Sequence, residues 1–193
     1  MPKLFIGNAA VLSLYATGRT TGTVIDVGEG ITHAVPVYEG YPIPHAVTKI
    51  PICGDDLTRY LHSMLHPIHP TQIENNLQGF EECVKIKEAR GKVALDFDAE
   101  LKQVTDAMNG ESLYKLPTGH KISVSESCLR CPELLFSPSI SAHCKIEDGL
   151  QQQTFSTIMK CENDIKKNLF QNIVLAGGCT MFEGMQKRME KEI

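Results

Sequence analysis

The stretch Val24-Ile25-Asp26-Val27-Gly28-Glu29-Gly30-Ile31-Thr32-His33-Ala34-Val35-Pro36-Val37 decides the fold. Two β-branched runs flank a Gly-X-Gly tip, which predicts a tight hairpin. Pro36 has no N–H to give to a ladder, so the second strand is expected at a sheet edge or beside a bulge. Glycines at the tip let backbone N–H groups face an anion with no side chain in the way. Asp26, at the end of the first strand, can hold a hydrated Mg²⁺ or orient a water. On these residues alone the tip is equally a plain turn, because turn chemistry accounts for its glycines.

A second glycine pair lies far along the chain. Residues 172–176 read as a strand, Gly177-Gly178 as a sharp turn, and residues 182–192 as an amphipathic final helix. A strand-to-helix turn with two glycines brings backbone close to a ligand, and the helix behind it offers its N-terminus. Taken singly, this pair too reads as simple punctuation.

Outward from the hairpin, residues 4–16 place Leu4, Ala9 or Ala10, Leu12 and Tyr15 at helical spacing, predicting a buried helix. Lys3 and the apolar run after it have the outline of a signal peptide. Gly7 and Asn8 interrupt that run, and only one basic residue precedes it. Residues 47–52 read as a strand. Asp55 or Asp56 can cap a helix through Leu57, Tyr60, Leu61, Met64 and Leu65, stopped by Pro67 and Pro70. A longer helix is expected to open at Thr71, bury Ile73, Leu77, Phe80 and Val84, and end at Gly91. Residues 113–116 and 121–124 flank Pro117-Thr118-Gly119-His120 as a second hairpin. A helix starting near Leu150 carries Phe155, Ile158 and Met159.

The bulk numbers set limits. With 193 residues, 42% of them hydrophobic, the chain can fill one substantial core or two small lobes. A net charge of −4 leaves no basic stripe for nucleic acid. No run approaches the roughly 18 consecutive apolar residues of a membrane-spanning helix. The seven cysteines are scattered and odd in number, which fits reduced thiols in the cytosol better than a disulfide framework. Cys128 and Cys131 form a CxxC with no second pair to complete a zinc site and no thioredoxin-like context. His62, His66 and His69 lack the intervening carboxylate of a metalloprotease helix and read as structural or exposed.

Taken together, several segments resemble the actin family. They are residues 10–22, 24–47, 54–61, 86–97, 130–139 and 154–193, in the family's order and near its spacing, so the match is collinear over nearly the whole chain. The resemblance implies an α/β fold of the actin, Hsp70 and sugar-kinase type. Residues 1–53 and 151–193 would form the nucleotide-binding lobe, and residues 54–150 an inserted smaller subdomain. It implies a cytoplasmic, cytoskeletal protein that binds ATP or ADP with Mg²⁺ or Ca²⁺ and hydrolyses ATP slowly in step with filament assembly. The implied partners are copies of itself, actin-type subunits and actin-binding proteins, with no nucleic acid and no membrane.

The site residues it implies are specific. Asp26 matches the acid beside the catalytic water and the metal's water shell, and His33 a histidine near the γ-phosphate. Gly28, Glu29 and Gly30 match the second phosphate loop. Gly54 matches a glycine near the ribose, Lys87 and Glu88 the pair beside adenine and ribose. Gly177, Gly178, Cys179, Met181 and Phe182 match the loop over base and sugar.

The departures from the family pattern are also specific. Ala9 stands where the family has a water-positioning glutamine, Glu29 where it has aspartate, and Val84 where it has an adenine-side arginine. Residues 137–150 match the plug region but are longer and more polar, with Ser141 and His143 weakening the apolar contact that the plug makes in a filament. The family's first phosphate loop and final segment fall outside the match, so this chain is expected to supply one wall of the cleft. Two further readings follow: a non-catalytic interaction module, or a truncated product that does not bind ATP on its own.

Overall fold

A computed structural model describes residues 3–4, 6–106, 113–141, 144 and 147–193. His143 of the plug region lies outside the described residues. The chain divides into two compact units, residues 1–53 with 150–180, and residues 54–149 with 181–193.

The first unit is built on a mixed sheet. Strand β1 (Gly22–Val27) pairs antiparallel with β2 (Thr32–Tyr38), so Asp26 lies opposite His33 and Val27 opposite Thr32. On its other side β1 pairs parallel with β7 (Ile173–Ala176), which sets Asp26 beside Ala176. The short strands β3 (Tyr41–Pro42) and β4 (Thr48–Ile50) both pair with the far side of β2. Val24, Val35, Val37 and Val174 form one face of the sheet's core, under helix α1 (Ala9–Ala16). Ile158 on α6 (Leu150–Met159) and Leu169 on α7 (Asn163–Gln171) form a second cluster with Ala46 and with Cys161, which lies between the two helices. This mixed sheet with flanking helices is the expected α/β class.

Two local readings change in this unit. The buried side of α1 is Ala10, Val11 and Leu14, whereas Leu4, Leu12 and Tyr15 are exposed. Asn8 caps the helix by accepting the Ala10 N–H at 3.0 Å, which fixes the turn and puts those three residues on the valine cluster. Pro36 sits inside an interior strand rather than at an edge. Its carbonyl accepts from Ile43, on the side of β2 away from β1. In a strand the N–H and C=O of one residue point the same way, so its missing donor faces the gap between β3 and β4.

The second unit is mainly helical. It contains α2 (Gly54–Leu65), α3 (Leu77–Arg90), α4 (Phe97–Asp106), α5 (Ser125–Glu133) and α8 (Met185–Glu192), with a hairpin of β5 (Leu113–Lys115) and β6 (Lys121–Ser123). Leu57, Leu61, Leu65, Ile73, Cys83, Ile86 and Leu135 lie in its core. Helix α3 opens six residues later than the sequence predicts, because Asn76 accepts the Gly79 N–H at 2.9 Å and caps it there. Its buried positions are Gly79, Glu82, Cys83, Ile86 and Lys87, while Leu77 is exposed. The last helix belongs to this unit, not to the first, where the sequence grouping put it. Arg188 on α8 donates to both carboxylate oxygens of Glu133, at 3.0 and 3.2 Å, and to the Ala94 carbonyl at 2.7 Å.

The remaining cysteine and histidine motifs are structural. None of the seven cysteines is in a disulfide, and both thiols of the CxxC are buried; Cys131 donates to the Leu57 carbonyl. The rings of His62 and His66 stack 5.4 Å apart and bond the carbonyls of Glu74 and Ile73, pinning that loop to α2. Among the described residues no group of three or more acids, histidines and cysteines can hold a metal. No helix of the described residues is long and apolar enough to cross a membrane.

Candidate functional site

The hairpin tip and the second glycine pair meet at one end of the first unit's sheet. Strands β1 and β7 are parallel, so their carboxyl ends coincide, and each runs into a glycine turn there. In open α/β sheets that end of the strands is where ligands bind.

The four-residue connection from Val27 to Thr32 closes through the Gly28 N–H, which donates to the Ile31 carbonyl at 3.0 Å. Glu29 and Gly30 stand at its exposed tip. Among the described residues nothing accepts from the Gly30 N–H. Gly177 follows β7 with φ +88°, a left-handed conformation that glycine adopts freely. The chain also comes so near β1 here that a β-carbon on Gly177 would stand 2.4 Å from the Val27 carbonyl oxygen and 2.6 Å from an Asp26 carboxylate oxygen. Cys179 Sγ lies 4.0 Å from the Gly28 carbonyl oxygen. Behind Gly177 comes a 3₁₀ turn, Gly178–Met181, and the final helix, expected over residues 182–192, opens at Met185. The Gly177 carbonyl accepts from the Thr180 N–H and hydroxyl, at 3.1 and 2.8 Å.

The four glycines are not equivalent. A β-carbon on Gly177 is forbidden by its backbone, and one on Gly28 would press on the Ile31 carbonyl at 3.0 Å. A β-carbon on Gly30 or Gly178 would meet nothing within 4 Å, and neither has a positive φ of the glycine-requiring kind. Gly177 is required by its backbone, and Gly28 is a tight fit against the Ile31 carbonyl. At Gly30 and Gly178 the backbone faces open space, where a side chain would stand in the way of an approaching ligand.

Asp26 and His33 are directly opposed on β1 and β2, so their side chains share one face of the sheet, each half-buried. Asp26 thus stands beside both glycine turns. Ala9, the first residue of α1, presents a methyl group with no donor or acceptor.

The other sequence-predicted positions belong to the second unit. Lys87 is buried, and its ammonium donates to the Gly54 carbonyl at 2.9 Å and to the Thr58 hydroxyl at 2.8 Å. Lys87 and Gly54 are therefore brought together, through a bond that ties α3 to the first turn of α2. Glu88 is exposed one position on. Phe182 is buried with its ring against Gly91, at the C-terminal end of α3, whereas Met181 is exposed. Thr58, the hydroxyl that receives Lys87, was missed by sequence reasoning. A threonine four residues after a helix-opening glycine carries no local mark of a tertiary partner.

In the plug region the described Ser141 is buried on a short turn, its N–H donating to Pro138 at 3.2 Å.

A glycine-tipped hairpin and a second glycine turn, joined across a parallel strand pair beside an aspartate, agree with the collinear sequence match. The sequence model of the actin family matches residues 1–193, and the chain belongs to that family.

Proposed function

We propose that the chain is an actin-type nucleotide-binding protein in which the hairpin tip at residues 28–30 and the Gly177-Gly178 turn hold nucleotide phosphates. The observation that carries this reading is the open space at Gly30 and Gly178, which the fold itself does not require. Bare backbone N–H groups suit phosphate oxygens, and they act without a side chain to displace. The family is a nucleotide-binding one, and the nucleotide it implies is ATP or ADP with Mg²⁺ or Ca²⁺.

Each residue then has a separable role. Gly28 and Gly177 set the backbone, while Glu29, Gly30 and Gly178 face the phosphates. Asp26 would face a divalent cation through water, and His33 opposite it would orient polar groups at the same edge. The cation, when bound, supplies charge neutralisation between phosphate oxygens. In the second unit, Gly54, Lys87, Glu88, Met181, Phe182 and the first unit's Cys179 are the positions the family places around base and ribose. The buried bonds of Lys87 favour a supporting role for it, one that holds the start of α2.

Turnover is the weak function of this chain. Orienting an attacking water requires a hydrogen-bonding group, and Ala9 has none. The reading is therefore nucleotide binding with hydrolysis slower than in relatives that carry glutamine there. Binding that serves assembly or attachment to actin-type partners follows as the cellular role, in the cytoplasm and cytoskeleton.

Calorimetry of Mg-ATP with the chain and with its Gly30→Ala and Gly178→Ala variants tests the reading. The variants should keep the parent's melting temperature and bind at least about tenfold more weakly, as expected when a methyl displaces a charge-assisted hydrogen bond. Equal affinity in all three proteins would remove the assignment. Ala9→Gln should raise hydrolysis without changing affinity.

A further inference from the structure

Among the described residues the first unit's sheet ends at β7, whose strand neighbour is β1 on one side and nothing on the other. The Thr23 N–H donates to the Asn172 carbonyl at 2.8 Å, so the groups that this segment turns toward β1 belong to Asn172, Val174 and Ala176. Ile173 and Leu175 turn their N–H and C=O groups the other way. Among the described residues these four groups meet no strand, loop or side chain.

Edges of this kind are commonly blunted by lysine, proline or a bulge. Residues 172–176, Asn-Ile-Val-Leu-Ala, carry no charge and no proline, and they pair one-to-one with β1 without a bulge. Ile173, Leu175 and Ala176 are only partly buried. A further strand here would pair backbone and cover apolar surface together.

The chain carries a segment of matching kind. Leu4 and Ile6 precede α1, belong to no described strand, and are 77% and 87% exposed. Side chains two apart on a strand share a face, so in extended form these two lie on one side of the sheet they join. Asn8 caps α1, which leaves the segment before it outside the helix.

We infer that residues 3–6 of one copy of this chain add as a strand to the β7 edge of a second copy. The backbone groups of Ile173 and Leu175 supply the pairing, and Leu4 and Ile6 supply the burial. Donor segment and acceptor edge are different surfaces of the same unit. The contact is therefore head-to-tail, and each added copy still offers one of each. The inference rests on the sheet edge and not on the phosphate-binding reading.

Sedimentation of the full chain over a concentration series, without nucleotide, tests it. The average mass should rise with concentration. Leu175→Pro removes an N–H that the β1 ladder does not use, and Leu4→Lys with Ile6→Lys puts charge on the donor at exposed positions. Each variant should keep the parent's melting temperature and weaken association about tenfold or more. The first variant keeps its donor and the second its edge, so a mixture of the two should form a one-to-one pair and nothing larger. If Leu175→Pro folds poorly, the lysine variant decides, since both its changes lie in the exposed segment. A parent that stays monomeric up to about 200 µM would overturn the inference. So would undiminished association of the lysine variant, or a mixture of two well-folded variants that stays monomeric.

Discussion

Gly177 and Val27 are in backbone contact: no β-carbon fits on Gly177, because the Val27 carbonyl oxygen would lie 2.4 Å from it. The contact joins the ends of two parallel strands and fixes the spacing of both glycine turns. Gly177→Ala adds a left-handed strain to this clash, so it should destabilise the chain by about 2 kcal/mol or more. Gly178→Ala, one residue on, should cost almost nothing. Urea titrations of the two variants check this, and similar midpoints would mean that the two glycines are interchangeable.

The hairpin was readable from sequence because its signals are local: β-branched runs on either side and glycines between. Elements whose burial depends on distant partners were not. In α3 the periodic apolar residues point to Leu77, Phe80 and Val84, yet the helix buries Glu82 and Lys87. Lys87 is buried because Gly54 and Thr58 receive its ammonium. A pattern that scores lysine and glutamate as polar cannot foresee that. Pro36 misled for a similar reason, since two short strands leave a gap that suits it only once the whole sheet exists. At the candidate site the glycines themselves were legible. Their division into Gly177, which the backbone requires, Gly28, which fits tightly, and two that stand in open space is a property of the packed chain.

Arg188 and Glu133 form the principal buried ion pair of the second unit, with the guanidinium also lying 4.8 Å over the Phe136 ring. Burial raises the Glu133 carboxyl above the ordinary range, even against the lowering pull of Arg188. Arg188→Met leaves that carboxylate without its cation and should cost about 3 kcal/mol or more near neutral pH. The loss depends on pH in a defined direction. With its folded-state value raised further, Glu133 favours the folded state only when protonated. The variant's deficit should therefore grow as pH rises through the parent's raised value and level off above the variant's still higher one. Denaturant midpoints of parent and variant from pH 4 to 8 measure it, and a deficit that shrinks with rising pH would contradict the assignment.

Thiol reactivity separates the cysteines. Cys83 and Cys128 are pushed up to about 12, first by burial and then by Glu82 for Cys83, whereas Arg90 partly opposes the shift at Cys128. Cys53 and Cys144 are half-buried, and the other five are buried. In native protein at pH 8, Cys53 and Cys144 should label with a disulfide reagent well before the rest. All seven should label after unfolding. Mass mapping of early adducts gives the readout. Rapid modification of Cys128 or Cys131 would revive a redox role for the CxxC.

Glu100 on α4 provides a second pH test of opposite sign. Burial alone would raise its carboxyl, but the Lys92 ammonium at 2.9 Å and the Leu95 N–H at 2.9 Å outweigh burial and lower it. A carboxylate lowered on folding stabilises above its unfolded value, near 4.3, and that contribution fades as pH falls through the folded value. Both side chains are partly exposed, so the effect should stay below about 1 kcal/mol. Glu100→Gln should be less stable than the parent at pH 6, and the two should converge toward pH 2. Raised salt should narrow the gap at pH 6, since exposed charges are screened. A gap that persists unchanged into acid would mean that packing, not the Lys92 pair, holds this helix.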